Sequence, residues 1–172
     1  MAKYFIIAGE ASGDIHGASL IRALRQEDAE AQFQFLGGDM MAEAAGVKPL
    51  IHYRDMAYMG FVEVLKHLPT ILGFMATAKK AIMDNRPDAV ILIDYPSFNL
   101  KIAKFAHDKG IPCFYFISPK VWVWKEYRVK QIKRYIARLF SILPFETAFF
   151  RKHDYNCLLY TSPSPRDVEE SR

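Results

Sequence analysis

Three short segments of this 172-residue chain carry side chains able to bind and activate a hydroxyl. The first is Gly9-Glu10-Ala11-Ser12-Gly13-Asp14, directly after the apolar run Tyr4 to Ala8. Glycine lets backbone approach a ligand closely, and a helix start offers unpaired N–H groups, so such a loop handles phosphates and sugars. A pure phosphate cradle has no need of two carboxylates. Glu10, Asp14 and the Ser12 hydroxyl, with Gly13 between them, therefore suit sugar hydroxyls as well. The second segment is Ile93-Asp94-Tyr95-Pro96-Ser97-Phe98-Asn99, where an aspartate ends a wholly apolar run. Partial burial raises the pKa of such a group and makes it a better proton acceptor. The alternative is that Asp94 caps the following helix. Tyr95 and Phe98 are placed to wall a sugar or acyl group. The third is Ser118-Pro119-Lys120-Val121-Trp122-Val123-Trp124-Lys125. Its tryptophans can stack on a sugar, line an acyl groove or bury under a neighbouring helix. Lys120, Lys125 and Arg128 can hold a phosphate.

These segments need elements to position them, and strand and helix patterns alternate along the chain. Strands are expected at Lys3–Ala8, Gln32–Leu36, Pro49–Tyr53, Ala89–Ile93, Ile111–Ile117 and Leu139–Leu143. Helices are expected at Ile15–Arg25, with Ser12 or Asp14 as its cap, and at Asp39–Ala45, closed by Gly46. Further helices are expected at Asn99–Asp108, Val129–Ile136 and Phe145–Lys152. Phe61 to Asn85 is mostly helical, kinked or restarted at Pro69. Its main stripe is Phe61, Leu65, Leu68, Leu72, Met75 and Ile82, with a second apolar set at Val64, Ile71 and Phe74. A helix apolar on two sides is by default buried between layers; otherwise it offers a face to lipid or a partner. Continuous apolar strands alternating with helices predict an α/β fold, a Rossmann-like doubly wound parallel sheet. Ligands of such sheets bind at the carboxyl ends of the strands, where all three segments fall.

Composition narrows the function classes. The chain is 51% hydrophobic and 24% charged, which supports a real core and excludes a disordered chain. The net charge of +4 is concentrated between Lys120 and Arg138, where seven basic residues face the single acid Glu126. Such a run is either a solvated helix face or a site for a phosphate, an acidic lipid surface or nucleic acid. Nucleic acid is disfavoured because the run is short. Cys113 and Cys157 have neither metal nor disulfide spacing. His16, His52, His67, His107 and His153 have no ligand spacing, so no metal is expected. The first loop lacks the Gly-x-Gly-x-x-Gly fingerprint, and there is no Gly-x-x-x-x-Gly-Lys-Ser/Thr motif, which disfavours dinucleotides. No signal-peptide pattern and no apolar stretch near ~20 residues occur, so a cytoplasmic location is expected. From Cys157 to Arg172 the chain is turn-rich without helix or strand period and resembles translated adapter sequence. It is expected to be a disordered, non-native tail on a domain of residues 1–156.

Five segments together resemble the lipid-A-disaccharide synthase family over about residues 3–156. They are Ala8 to Asp14, Met59-Gly60-Phe61-Val62-Glu63-Val64-Leu65, Ile93 to Asn99, Ser118 to Trp124, and Leu143-Pro144-Phe145-Glu146. The resemblance implies the N-terminal half of an inverting, metal-free glycosyltransferase of the two-Rossmann-domain (GT-B) type. That family transfers diacylglucosamine from its UDP form to diacylglucosamine 1-phosphate through a β-1,6 linkage, at the cytoplasmic face of the Gram-negative inner membrane. It implies Asp94 as general base. It implies an acceptor site with Glu10, Ser12, Gly13, Asp14, Asn99, Ser118, Lys120, Trp122, Lys125 and Arg128. Met59, Phe61, Val64 and Phe74 would meet acyl chains or the anionic membrane surface. The UDP-sugar is a substrate, no cofactor is implied, and a homodimer is possible for the full-length protein. Family members are about twice this length, so the chain reads as the acceptor-side domain without its donor domain, inactive alone. The rival readings are another nucleotide-sugar glycosyltransferase or epimerase domain, and a non-catalytic Rossmann-like domain binding phosphate or membrane.

Overall fold

The computed structural model describes residues 1–57, 68–117 and 127–160. Its strands are β1 (Lys3–Ala8), β2 (Gln32–Gly37), β3 (Ile51–His52), β4 (Ala89–Ile93), β5 (Cys113–Phe116), β6 (Arg138–Ser141) and β7 (Cys157–Leu159). They form one sheet in the order β3-β2-β1-β4-β5-β6-β7, every neighbouring pair parallel. The α/β doubly wound sheet expected from the sequence is borne out.

A parallel sheet must be covered on both faces, because each parallel connection lays a helix across it. Alternation along β1 shows this directly. Ile6 and Ala8 join a core with Ala18 and Ile21 of α1 (Ala11–Glu27) and Met41 of α2 (Asp39–Ala45). Phe5 and Ile7 join the opposite core with residues of α4 (Leu68–Asn85), α5 (Pro96–Asp108), α6 (Tyr127–Tyr135) and α7 (Pro144–Lys152). A short α3 (Tyr53–Ala57) follows β3. Each fully buried Ile, Leu or Phe contributes about 1.5–3 kcal/mol, so the sheet is held from both sides.

Winding reverses between β1 and β4, and a crevice opens there at the carboxyl ends. Register fixes its walls. Ala8 lies opposite Ile93, so the loop leaving β1 at Gly9 stands beside Asp94 leaving β4.

Several elements differ from the sequence expectation. Helix α1 begins at Ala11 with Glu10 as N-cap, so Ser12 and Asp14 lie inside it and neither caps it. Helix α5 begins at Pro96 rather than Asn99, since proline fits a first turn where no N–H is required. Pro69 is the second described residue of α4, and residues 61–67 before it lie outside the described residues. On α4 the stripe is rotated. Met75, Ala78 and Ile82 are buried, Ile71 and Phe74 pack on the core, and Leu68 and Leu72 are 47% and 56% exposed. On α6 the basic side chains Lys130, Lys133 and Arg134 are exposed while Val129 and Ile132 are buried, an ordinary amphipathic arrangement. Cys157, expected to open a disordered tail, lies in a strand instead. Cys157–Leu159 pairs in parallel with β6, Leu139 opposite Cys157, because the unpaired β6 edge offers a ladder of donors and acceptors. The remainder from residue 161 lies outside the described residues.

Candidate active site

Asp94 and Tyr95 both adopt left-handed backbone, with φ of 49° and 44°. Non-glycine residues in this region cost of the order of 1–3 kcal/mol each and persist only where surroundings hold them. Here the surroundings do. The Asp94 carbonyl accepts from Asn99 Nδ2 at 2.8 Å and from the Tyr115 hydroxyl. Asn99 Nδ2 also donates to the Ile93 carbonyl at 3.1 Å. The turn swings the Asp94 side chain towards α1, where Oδ1 accepts the Gly9 N–H at 3.1 Å. The fit needs glycine twice. A Cβ on Gly9 would come within 2.6 Å of Tyr95 Cβ, and a Cβ on Gly13 within 2.2 Å of Asp94 Oδ2.

The second carboxylate oxygen, Oδ2, is buried and has no hydrogen-bond partner among the described residues. Burial pushes the Asp94 pKa up from 3.8 to about 7. The Gly9 N–H opposes the rise, and the nearby Glu10 carboxylate adds to it. A carboxyl poised near neutrality at a cleft is suited to take a proton from a bound hydroxyl.

Asp94 lines an open cleft of about 420 Å³ with Glu10, Ser12, Gly13 and His16 of the first loop and α1. Tyr95, Pro96, Ile117, Arg128 and Ile142 complete it. Arg128 Nη2 donates to Ser97 Oγ at 2.8 Å, which braces the guanidinium against the start of α5. The cleft thus combines carboxylates and a hydroxyl on one side with a cation on the other, a set that fits a phosphorylated sugar.

The structure places Asp94, Glu10, Ser12, Gly13 and Arg128 along one cleft. Several expected residues are placed elsewhere. Asp14 is buried and turned away, its carboxylate accepting from the backbone N–H groups of Gly38, Met40 and Met41 at 2.8–3.1 Å. It satisfies the open start of α2 across a gap of more than twenty residues. Asn99 is fully buried and holds the Asp94 turn from behind. Phe98 is 3% exposed and belongs to the core, so Tyr95 alone of that pair lines the cleft. Phe74 packs on the core as well, because its face of α4 turns inward. Ser118, Lys120, Trp122, Lys125, Met59, Phe61 and Val64 lie outside the described residues.

Sequence reasoning passed over His16. It follows Gly13 by three residues, so both share one helix face and reach the same cleft. Among the described residues no group of three or more His, Cys, Asp or Glu could hold a metal ion, and no helix is long and apolar enough to cross a membrane.

A family model described as Lipid-A-disaccharide synthetase matches residues 4–160. The chain is 46% identical over 149 residues to the lipid-A-disaccharide synthase of Acidobacterium capsulatum, covering 87% of this chain and 37% of the relative. It is 45% identical over 150 residues to that of Trichlorobacter lovleyi, covering 87% and 39%. It is 40% identical over 166 residues to that of Myxococcus xanthus, covering 96% and 43%. The chain therefore spans about two fifths of the length of these relatives. Among solved structures, its fold resembles a UDP-N-acetylglucosamine 2-epimerase from Rickettsia bellii, with TM-score 0.63 and 12% identity. That likeness covers 99% of this chain and 47% of the other. A UDP-GlcNAc 2-epimerase from Neisseria meningitidis gives TM-score 0.61 and 10% identity over 91% and 46%. At these identities the likeness concerns fold alone.

Proposed function

Because the chain belongs to the lipid-A-disaccharide synthetase family, we propose that its cleft is the acceptor side of a glycosyl transfer in lipid A synthesis. The acceptor is diacylglucosamine 1-phosphate and the donor is the UDP form of diacylglucosamine. The observation that carries this reading is Asp94 itself. Asp94 lines the cleft, and its carboxyl pKa is pushed up to about 7.

The acceptor 6-hydroxyl lies against Asp94. As its oxygen attacks the anomeric carbon of the donor, the proton passes to the Asp94 carboxylate. The bond from the anomeric carbon to the UDP oxygen breaks on the opposite face, giving inversion and a β linkage. Proton removal during attack is worth about 10²–10⁴-fold in rate. Glu10 and Ser12 meet sugar hydroxyls, and Arg128 meets the acceptor phosphate. The reading needs no metal ion. We place the UDP site in the part of the relatives that this chain does not span. The exposed Leu68 and Leu72 and the basic face of α6 support attachment at an anionic inner-membrane surface, with the protein on its cytoplasmic side.

The test is ligand titration of the isotopically labelled chain. Acylated glucosamine 1-phosphate should perturb Glu10, Ser12, Asp94 and Arg128 resonances, and UDP alone should not. Perturbation by UDP alone at these residues would assign the cleft to the donor instead.

A further inference from the structure

Tyr115 is fully buried in β5, and the transfer chemistry has no use for its phenol. Burial raises its pKa well above the ordinary phenol range, so the group remains an O–H donor throughout the working range of pH. Its hydroxyl donates to the carbonyl of Asp94. The bond crosses from one strand to the end of its neighbour, since Leu92 of β4 lies opposite Tyr115 in the parallel ladder. Asn99 reaches the same carbonyl from the first turns of α5. Two donors from two elements thus converge on one backbone oxygen, at a residue held in left-handed backbone with φ of 49°.

A peptide unit fixed at its carbonyl fixes the direction of the side chain that precedes it. If the Asp94 carbonyl swung free, the left-handed pair would relax and the carboxyl would leave the notch beneath Gly9 and Gly13. We propose that Tyr115, clamping the Asp94 carbonyl together with Asn99, is a positioning residue for the Asp94 carboxyl. The clamp acts through backbone, so Tyr115 touches neither substrate nor reacting atoms. The proposal rests on Asp94 serving as the base.

The decisive variant is Tyr115→Phe, which removes one hydroxyl and keeps the ring. Its control is Tyr155→Phe, since the Tyr155 hydroxyl also donates to a buried backbone carbonyl, that of Ile136 at 2.9 Å, away from the cleft. The first readout is the titration of the Asp94 carboxyl carbon by NMR in the chain itself, which requires no substrate or turnover. Among the described residues the charged or titratable groups around Asp94 are Glu10, His16, Arg128, Tyr95 and Tyr115, and only the last is altered. Tyr115→Phe should admit water to the carboxyl and lower its midpoint by about one unit or more towards the ordinary carboxylate range. Tyr155→Phe should leave it in place. The second readout is turnover in a chimera of this chain continued by the remaining length of the Acidobacterium capsulatum relative. Tyr115→Phe should lower kcat about 10- to 100-fold with little change in acceptor KM, as expected for a misplaced base.

An unmoved Asp94 midpoint in Tyr115→Phe would overturn the clamp, as would equal movement in the two Tyr→Phe variants. If Tyr115→Phe does not fold, Asn99→Ser tests the clamp from its other donor by the same titration and the same criterion. A shifted midpoint with unchanged kcat would keep the clamp and refute Asp94 as base, so the two failures are told apart.

Discussion

Asp94→Asn should make the protein more stable at high pH and nearly indifferent to pH at this site. The folded carboxyl has a pKa of about 7 against 3.8 for the ordinary group. At about 1.36 kcal/mol per unit, that difference of about three units puts about 4 kcal/mol on ionising Asp94 within the fold. Between the two values the folded state holds a proton that the unfolded chain has released. Stability at this site therefore falls as pH rises from about 4 to about 7, and the loss is complete above about 7. Asparagine keeps the size and can keep the Gly9 N–H bond through its carbonyl oxygen, but it carries no charge to bury. Urea unfolding of both proteins at about pH 5 and about pH 8 measures the effect. The advantage of Asp94→Asn should be greater at the higher pH by about 2–3 kcal/mol. A difference that is the same at both pH values within a few tenths of a kcal/mol would refute the raised pKa, and with it the electrostatic case for a poised base.

Two further substitutions test the packing around this group. Gly13→Ala would ordinarily stabilise a helix by about 1 kcal/mol; here its Cβ would lie 2.2 Å from Asp94 Oδ2, so thermal melting should show loss of stability and the Asp94 titration should shift. A gain in melting temperature with an unchanged titration would show that the notch is looser than described. Asp14→Ala strips partners from the N–H groups of Gly38, Met40 and Met41 and should cost about 1–3 kcal/mol or more in denaturant unfolding. A neutral result would return Asp14 to the cleft.

The sheet was legible because its strands are continuous apolar runs, Phe5 to Ala8 and Ala89 to Ile93, bounded by residues that stop them. Asp94 was legible for the same reason, as a carboxylate at the end of such a run. What the sequence hid was long-range or conformational. Asp14 sits in a loop whose residue types suggest a sugar site, yet its partners begin twenty-four residues away, beyond any local capping pattern. The left-handed turn at Asp94 and Tyr95 carries no glycine to mark it, since it is imposed by Asn99 and Tyr115. On α4, Leu72 and Phe74 are equally apolar, and only docking against the sheet decides which is buried. Strand β7 is three residues long and takes its order from the β6 edge rather than from its own pattern.

The most direct test of Asp94 as the base of a glycosyl transfer is turnover by the same chimera, with Asp94→Asn against the unsubstituted sequence. The substrates are UDP-diacylglucosamine and diacylglucosamine 1-phosphate, and disaccharide formation is followed over a range of acceptor concentrations. With Asp94 as base, kcat should fall about 10²–10⁴-fold with acceptor KM little changed. Disaccharide formation at near the unsubstituted rate would contradict it.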